Sequence, residues 1–266
     1  MKTHALLWNG RAFEKTAGLP VTDRGFRYGM SVFESFPVRE GKAAFLEKHL
    51  ERLRSACATV GFSLPHGVLE KCGDALAGAE SGFGRIYVTA GDGAVTENCD
   101  ACRVLIFVEE REPAAARVYH RGYDLALHAG EHAPVFPGVK TGNYWANLRA
   151  FREGVAAHCN EMLLFNEAGH LVSACMANVF IVSERLVKTP DVSTGARAGV
   201  VREWAMSRVE TAEALITRAE AEAADEIFLT SSWLGIMPAE SIGGRKLDRR
   251  EIATRLLKEY RDENGG

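Results

Sequence analysis

The chain is short of several things, and each shortage closes a class of function. Nowhere in its 266 residues does a run approach the ~20 apolar residues that cross a bilayer. The start, MKTHALLWNGRAF, holds no apolar segment long enough for a secretory signal. An excess of one charge is missing too. Thirty-two Lys and Arg stand against 35 Asp and Glu, a net charge of −3. That gives no electrostatic case for nucleic acid or a membrane surface. A cytoplasmic protein is expected. The six cysteines, Cys57, Cys72, Cys99, Cys102, Cys159 and Cys175, are scattered, so no disulfide framework is expected there. Cys99 and Cys102 form one CDAC pair with no second pair to complete a zinc site. They are read as a surface loop, and no metal is expected. Neither an internal repeat nor a low-complexity block occurs. Two nucleotide motifs fail on one residue each. GDGAVT at 91–96 ends in Thr96 instead of glycine, and GVKT has Val139 where a P-loop needs glycine.

What is present is ordinary globular material, 47% apolar and 25% charged, long enough for two domains of moderate size. In the first half ALLWNGRAF and SVFESFPV read as strands. AAFLEKHLERLRSACATVGF reads as a helix, because Leu46, Leu50, Leu53, Cys57 and Val60 repeat at the spacing of one buried stripe. A helix around HGVLEKCGDALAGAE and the strands RIYVTAG and ACRVLIFVEE follow. REPAAAR, with its proline, reads as a linker. The second half runs from YDLALHA through a helix near NYWANLRAFREGVAAH to the strands EMLLFN and LVSACMANVFIV. A helix near GVVREWAMSRVETA and the strand ADEIFLTSS come next. The last helix, LDRREIATRLLKEYRDE, is expected to be capped by Asp248 and Glu251. The fold class is therefore α/β, of α+β character: an N-terminal domain over 1–112, a linker over 113–120 and a C-terminal domain over 121–266. A small-molecule site is expected in the cleft between them.

Four features suggest chemistry. Lys140, in PVFPGVKTGNYW, follows an apolar stretch. Desolvation would lower its pKa and free an amine that condenses with aldehydes; a solvated loop lysine is the plainer reading of that context. Arg52 points about 120° away from the leucine stripe, so it is either solvated or reaching for an anion, which its guanidinium fork would suit. TGARAGVVRE places glycines just ahead of a helix start, where backbone amides bind phosphate. TSS, 230–232, ends a strand with three hydroxyls. Together they suggest an aldehyde-bearing phosphate cofactor, and pyridoxal 5'-phosphate fits.

The pieces DRGFRYG…VFES, FLEKHLERL, VKTGNYWAN, NEMLLFNEAGHLV…ANVFIV, AGVVR and ADEIFLTSS…GIMPA occur in one order over nearly the whole chain. In that order the sequence resembles the class IV aminotransferases, the fold-type IV pyridoxal-phosphate enzymes. The resemblance implies two α/β domains with the cofactor between them, a C-terminal domain carrying the cofactor lysine, and a homodimer. It implies that Lys140 binds the cofactor and moves the proton, that Arg52 holds the phosphate, and that the amides of Val200 and Val201 with the hydroxyls of Ser231 or Ser232 complete the phosphate cup. Tyr144 would lie near the cofactor's phenolic oxygen; Tyr28 and Phe33 would face an amine or amino-acid substrate.

Ser173 departs from the family pattern, in which a glutamate holds a proton on the pyridine nitrogen. A hydroxyl makes only a neutral hydrogen bond, so the ring is a weaker electron sink and transamination should suffer more than elimination. Gly29-Met30-Ser31 departs from the usual Gly-Asp-Gly on the substrate side. Among the subclasses, SACMANVF and SSWLGIMPA resemble the 4-amino-4-deoxychorismate lyases. An aminotransferase for branched-chain or D-amino acids is the alternative, and a non-catalytic relative that only binds the cofactor is the third reading.

Overall fold

The computed structural model describes residues 3–264. Its chain runs β1 (Thr3–Trp8), β2 (Phe13–Lys15), α1 (Arg24–Tyr28), β3 (Ser31–Arg39), β4 (Lys42–Ala43), α2 (Leu46–Thr59), α3 (Cys72–Leu76), β5 (Gly82–Thr89) and β6 (Arg103–Glu109). Then come α4 (Ala116–Arg121), β7 (Tyr123–Glu131), α5 (Trp145–Ala156), β8 (Glu161–Phe165), β9 (Leu171–Ala174), β10 (Asn178–Ser183) and β11 (Leu186–Pro190). The remainder is α6 (Val200–Met206), β12 (Thr211–Ala214), α7 (Arg218–Ala223), β13 (Glu226–Ser231), β14 (Gly235–Ile242), β15 (Arg245–Lys246) and α8 (Glu251–Asn264). The mixed α/β class expected from the sequence is what the chain adopts.

Two compact units form. One comprises Met1–Glu112 with Val139–Asn143, the other Pro113–Gly138 with Tyr144–Gly266. The first unit holds an antiparallel sheet in the order β2-β1-β6-β5-β3-β4. Along β3 the strand period of two carries Val32, Glu34, Phe36 and Val38 inward. Helix α2 covers that face, and Leu53 and Cys57 join Phe36, Ile86 and Ile106 in the core. The second unit holds a mixed sheet, β12-β11-β10-β13-β14-β7-β8-β9, with parallel pairs at β11–β12, β14–β7 and β7–β8. Strand β8 is buried throughout, because Leu163 and Phe165 face one core cluster while Met162 and Leu164 face another. A strand covered on both faces reads as a continuous apolar run, as EMLLF does.

Four expectations change. The stretch 113–120 is no plain linker. Only the last of its alanines, Ala116, enters α4, behind an extended Ala115, and Tyr119 anchors that helix by donating its hydroxyl to the Leu234 carbonyl at 3.0 Å. Lys140 follows that stretch in sequence yet packs with the first unit rather than with a C-terminal domain. Thr141 bridges to Val32, and the Gly142 N–H donates to the Ser31 carbonyl at 2.8 Å. The CDAC cysteines are buried, 9% and 7% exposed, instead of lying on a surface loop. Burial pushes the Cys102 thiol up to about 11, leaving it protonated and inert. Finally, α8 is not capped by Asp248. Its first amides, Ile252 and Ala253, donate to the carboxylate of Glu226 on β13, at 3.3 and 2.6 Å.

Candidate active site

In the first unit the expected residues fall on both faces of β3. Glu34 sits at an inward register position, so its carboxylate needs partners. His49 and Arg52 stand three apart on α2 and share a face. Arg52 donates Nε and Nη2 to the two carboxylate oxygens of Glu34, each at 2.7 Å, and His49 Nδ1 meets Oε2 at 2.7 Å. Burial opposes ionisation of Glu34, but the Arg52 charge and the His49 and Arg52 hydrogen bonds outweigh it and hold the carboxyl down at about 2. Burial also lowers His49, against the pull of Glu34 and with the Arg52 and Lys140 charges adding to it. His49 is therefore a neutral imidazole that donates Nδ1–H. Arg52 is thus neither core nor simply solvated: a carboxylate orients its guanidinium edge-on.

On the other face Phe33 is 8% exposed and stacks on Tyr87, ring centroids 4.8 Å apart. Its amide donates to the Lys140 carbonyl at 2.9 Å, and Lys140 Nζ lies 4.5 Å from its ring centroid. The structure brings Phe33 and Lys140 together. Tyr28 it leaves 47% exposed, its ring under the Arg27 guanidinium at 4.9 Å. The DRG part of the first motif is architectural. Arg24, 1% exposed, donates to the carbonyls of Ala90, Gly91, Ala94, Glu97 and Asn98, and Asp23 caps α1.

In the second unit Val200 and Val201 open α6 behind Gly199, and no side chain caps the helix start. Thr230 at the end of β13 stands directly across from Asn178 on β10. Asn178 Nδ2 donates to the Arg197 carbonyl at 2.7 Å, and a Cβ on Gly199 would come within 2.0 Å of Asn178 Oδ1. The hydroxyl-bearing strand end and the amide-rich helix start are therefore neighbours, with glycine demanded by the close approach. Thr230 Oγ1 is buried there without a hydrogen-bond partner, an orphan that a bound ligand would satisfy. Ser231 Oγ accepts from the Leu234 N–H at 3.1 Å and so holds the turn before β14; Ser232 lies in that turn.

Tyr144 is the residue ahead of α5, and Leu148 N–H bonds to its carbonyl. Ser173 faces Leu164 across β8–β9. Glu161 does not substitute for the missing acid. Its oxygens accept the N–H groups of Cys175 and Met176 at 3.0 and 3.1 Å, and burial lifts its pKa to about 7 despite those bonds.

Glu34, His49 and Asn178 lay inside recognised motifs but carried no assigned role, and of the three TSS hydroxyls the role went to Ser231 and Ser232 rather than Thr230. A glutamate and a histidine inside otherwise apolar strand and helix faces were the signal. The expectation that the eight histidines hold no HxxxH or HxH pair is wrong, since His128 and His132 are spaced four apart; they lie on β7 and the loop after it, and no metal-binding group of three or more ligands exists among the described residues. Nor, among those residues, is any helix long and apolar enough to cross a membrane. A cavity of about 430 Å³ in the first unit, lined by His4, Lys15, Glu80 and Glu110 among others, includes none of the expected site residues.

The sequence model of the amino-transferase class IV family matches residues 31–242. The chain belongs to the class IV aminotransferase family. Aminodeoxychorismate lyase of Bacillus subtilis (strain 168) is 31% identical over 250 residues, 88% of this chain and 85% of that protein. A putative branched-chain-amino-acid aminotransferase of Methanocaldococcus jannaschii is 25% identical over 261 residues, 92% and 91% of the two chains. The crystal structure of 4-amino-4-deoxychorismate lyase from Pseudomonas aeruginosa aligns with a TM-score of 0.88 at 27% identity, covering 98% of this chain and 100% of that one. Lyases and aminotransferases thus surround this class IV chain, which is an enzyme of that family.

Proposed function

We propose that this enzyme is a pyridoxal-phosphate-dependent 4-amino-4-deoxychorismate lyase that releases pyruvate and 4-aminobenzoate. The observation that carries the reading is the 31% identity to a lyase of that activity over most of both chains. The cofactor fits the residues present. Lys140 supplies an amine beside the Phe33 ring, Arg52 a guanidinium fixed by Glu34, and the second unit an orphaned Thr230 hydroxyl next to the uncapped start of α6. When bound, pyridoxal phosphate withdraws electrons from the amine-bearing carbon of a substrate.

This chain's own residues do the rest. Arg52 would hold the phosphate, with Glu34 and His49 keeping its guanidinium in one orientation. In the second unit the amides of Val200 and Val201 would bind phosphate, with Ser231 and Ser232 at the strand end. Tyr144 would serve the cofactor's phenolic oxygen. Lys140 takes the proton from the amine-bearing carbon of the substrate, and its stacking against Phe33 restrains the swing of the side chain; Phe33 and Tyr28 line the substrate's approach. The C–O bond to the side chain breaks as the ring becomes aromatic, which supplies driving force, and the departing enolpyruvate takes up one proton, equal in number to the one Lys140 removed, to become pyruvate. A strong acid at position 173 is then dispensable, and Ser173 is sufficient. The homodimer is part of this reading and light scattering tests it.

The test is to mix protein and pyridoxal phosphate with 4-amino-4-deoxychorismate and follow 4-aminobenzoate. Formation that disappears in Lys140→Ala is expected. Amino-group exchange between an amino acid and a 2-oxo acid, with no 4-aminobenzoate, would replace the lyase by an aminotransferase, the reading that the archaeal relative favours. Ser173→Glu is expected to raise any such exchange at least severalfold. An unchanged rate would mean that position 173 does not govern the ring.

A further inference from the structure

Lys140 is set into an open edge of the first unit's sheet. Strand β3 pairs with β5 along one edge, while β4 covers the other edge only at Val38 and Arg39. The lysine segment fills the start of that second edge. Phe33 N–H donates to the Lys140 carbonyl at 2.9 Å, Gly142 N–H to the Ser31 carbonyl at 2.8 Å, and Thr141 bridges to Val32. Phe33 therefore stands between Lys140 and Tyr87, its register partner on β5. Because its N–H points to Lys140, Phe33 forms a non-hydrogen-bonded pair with Tyr87, the kind in which side chains come closer.

A row of rings follows. Lys140 Nζ lies over the Phe33 ring, 4.5 Å from its centroid. Phe33 stacks on Tyr87 at 4.8 Å and 13°, and Tyr87 stacks on Phe107 of β6 at 5.8 Å and 6°. The Arg85 guanidinium closes the row, 5.3 Å from the Phe107 centroid and 4.7 Å from that of Phe83. Glu109 holds Arg85 in turn, accepting from Nη1 at 2.7 Å. All of these residues belong to the first unit.

Core packing does not call for this row. Ile86 and Val88 on β5, and Val104 and Ile106 on β6, supply the core from alternate positions. Tyr87 and Phe107 are half-buried on the opposite face. Stacked rings leave one another little freedom to turn, so the ring of Phe33 stays face-on to the amine. An ammonium over a ring face is favoured over a neutral amine, and the ammonium is the state Lys140 reaches on taking a proton. We propose that Tyr87, backed by Phe107, is a positioning residue that fixes the Phe33 ring against Lys140, so that the ring stabilises this amine in its protonated form. The proposal rests on the reading of Lys140 as the amine that holds the cofactor and moves the substrate's proton. The other charged or titratable groups on the elements around Lys140 are Glu34 on β3, His49 and Arg52 on α2, Arg85 on β5 and Glu109 on β6. A substitution at position 87 removes none of them.

The test is the titration of Lys140 by NMR in the full chain, free of cofactor, with its lysines carrying isotope-labelled methyl groups. The signal missing from Lys140→Arg is that of Lys140. Phe33→Leu should lower its midpoint by about one pH unit. Tyr87→Leu should lower it by about half a unit, and Tyr87→Phe, which keeps the stack, should leave it within about 0.2 unit of the natural protein. Thermal melts show that each variant is folded, and Phe107→Leu, expected to act in the same direction, is the second route to a loosened stack. An unmoved midpoint in both loosened variants overturns the proposal, and so does an equal fall in Tyr87→Phe. Borohydride fixation of pyridoxal phosphate, followed by peptide mapping, tests the cofactor reading separately. Attachment to another lysine refutes that reading and the proposal with it. Attachment at Lys140 with an unmoved midpoint refutes the proposal alone.

Discussion

Two glutamates, one in each unit, are buried to nearly the same degree and end in opposite states. Glu34 is 2% exposed and Glu161 3%. Glu34 is held down at about 2 and Glu161 is lifted to about 7. Burial acts on both in the same sense, so the difference lies in what answers it. Glu34 meets a full positive charge in a two-pronged geometry plus an imidazole N–H. Glu161 meets no positive charge, only neutral donors: the amides of Met176, Met162 and Cys175 and the Cys175 thiol. Charge compensation overcomes desolvation, while neutral hydrogen bonds do not. The first arrangement suits a guanidinium that must stay aimed at an anion. The second suits a carboxyl whose task is to hold the turn between β9 and β10.

The sharpest way to break the comparison is Glu34→Gln. It leaves Arg52 without its counter-charge and weakens the bond from His49, and a loss on the order of 3 kcal/mol in unfolding free energy is expected. Denaturant unfolding measures it; a loss under 1 kcal/mol would mean that the pair is no more than a surface contact. Affinity for pyridoxal phosphate should fall in the same variant, because Arg52 is then free to turn.

A smaller effect comes from pH. Glu161 binds its proton more tightly folded than unfolded, so its contribution is full below its unfolded value of about 4.5 and is lost as pH rises through about 7. Glu226, raised by burial, acts in the same sense. Glu34 does the reverse: its contribution is present above about 4.5 and is lost as pH falls toward 2. His49 and His132, lowered by burial, act the other way across the same range, so the carboxyl is read by difference. Between pH 5.5 and 7.5 the melting temperature of Glu161→Gln should climb more steeply, or fall less steeply, with pH than that of the natural protein. Parallel profiles would exclude this carboxyl as a source of the pH dependence.

The smallest effect is Glu226→Ala. Removing the cap of α8 should cost about 1 kcal/mol, with hydrogen exchange accelerated first at Ile252 and Ala253. Uniform exchange across α8 in the variant would show that the helix start does not depend on Glu226.

That cap shows where the sequence could be read and where it could not. The capping box of α7, Thr217 with Glu220, is local and lies open in TRAE. The cap of α8 comes from 26 residues upstream, and the nearby Asp248 was a plausible but wrong substitute. Likewise Lys140 and Arg52 were legible as residue types in family order, yet which unit carries Lys140 depended on an antiparallel bridge to Val32. The alanines of 114–116 pointed to a helix, but the proline before them was given more weight. His49 was hidden because the helix stripe was traced through apolar residues alone.

By itself the sequence determined the family, the α/β class, the main strands and helices, and the types of group available for chemistry. These follow from periodicity and motif order, which are properties of neighbours along the chain. Tertiary structure alone decided the partners. It put Glu34 under Arg52, left Thr230 Oγ1 and Arg197 Nε without hydrogen-bond partners, and pushed two equally buried glutamates in opposite directions. Desolvation and Coulomb energies depend on distances between residues far apart in sequence, and only the folded chain sets those distances.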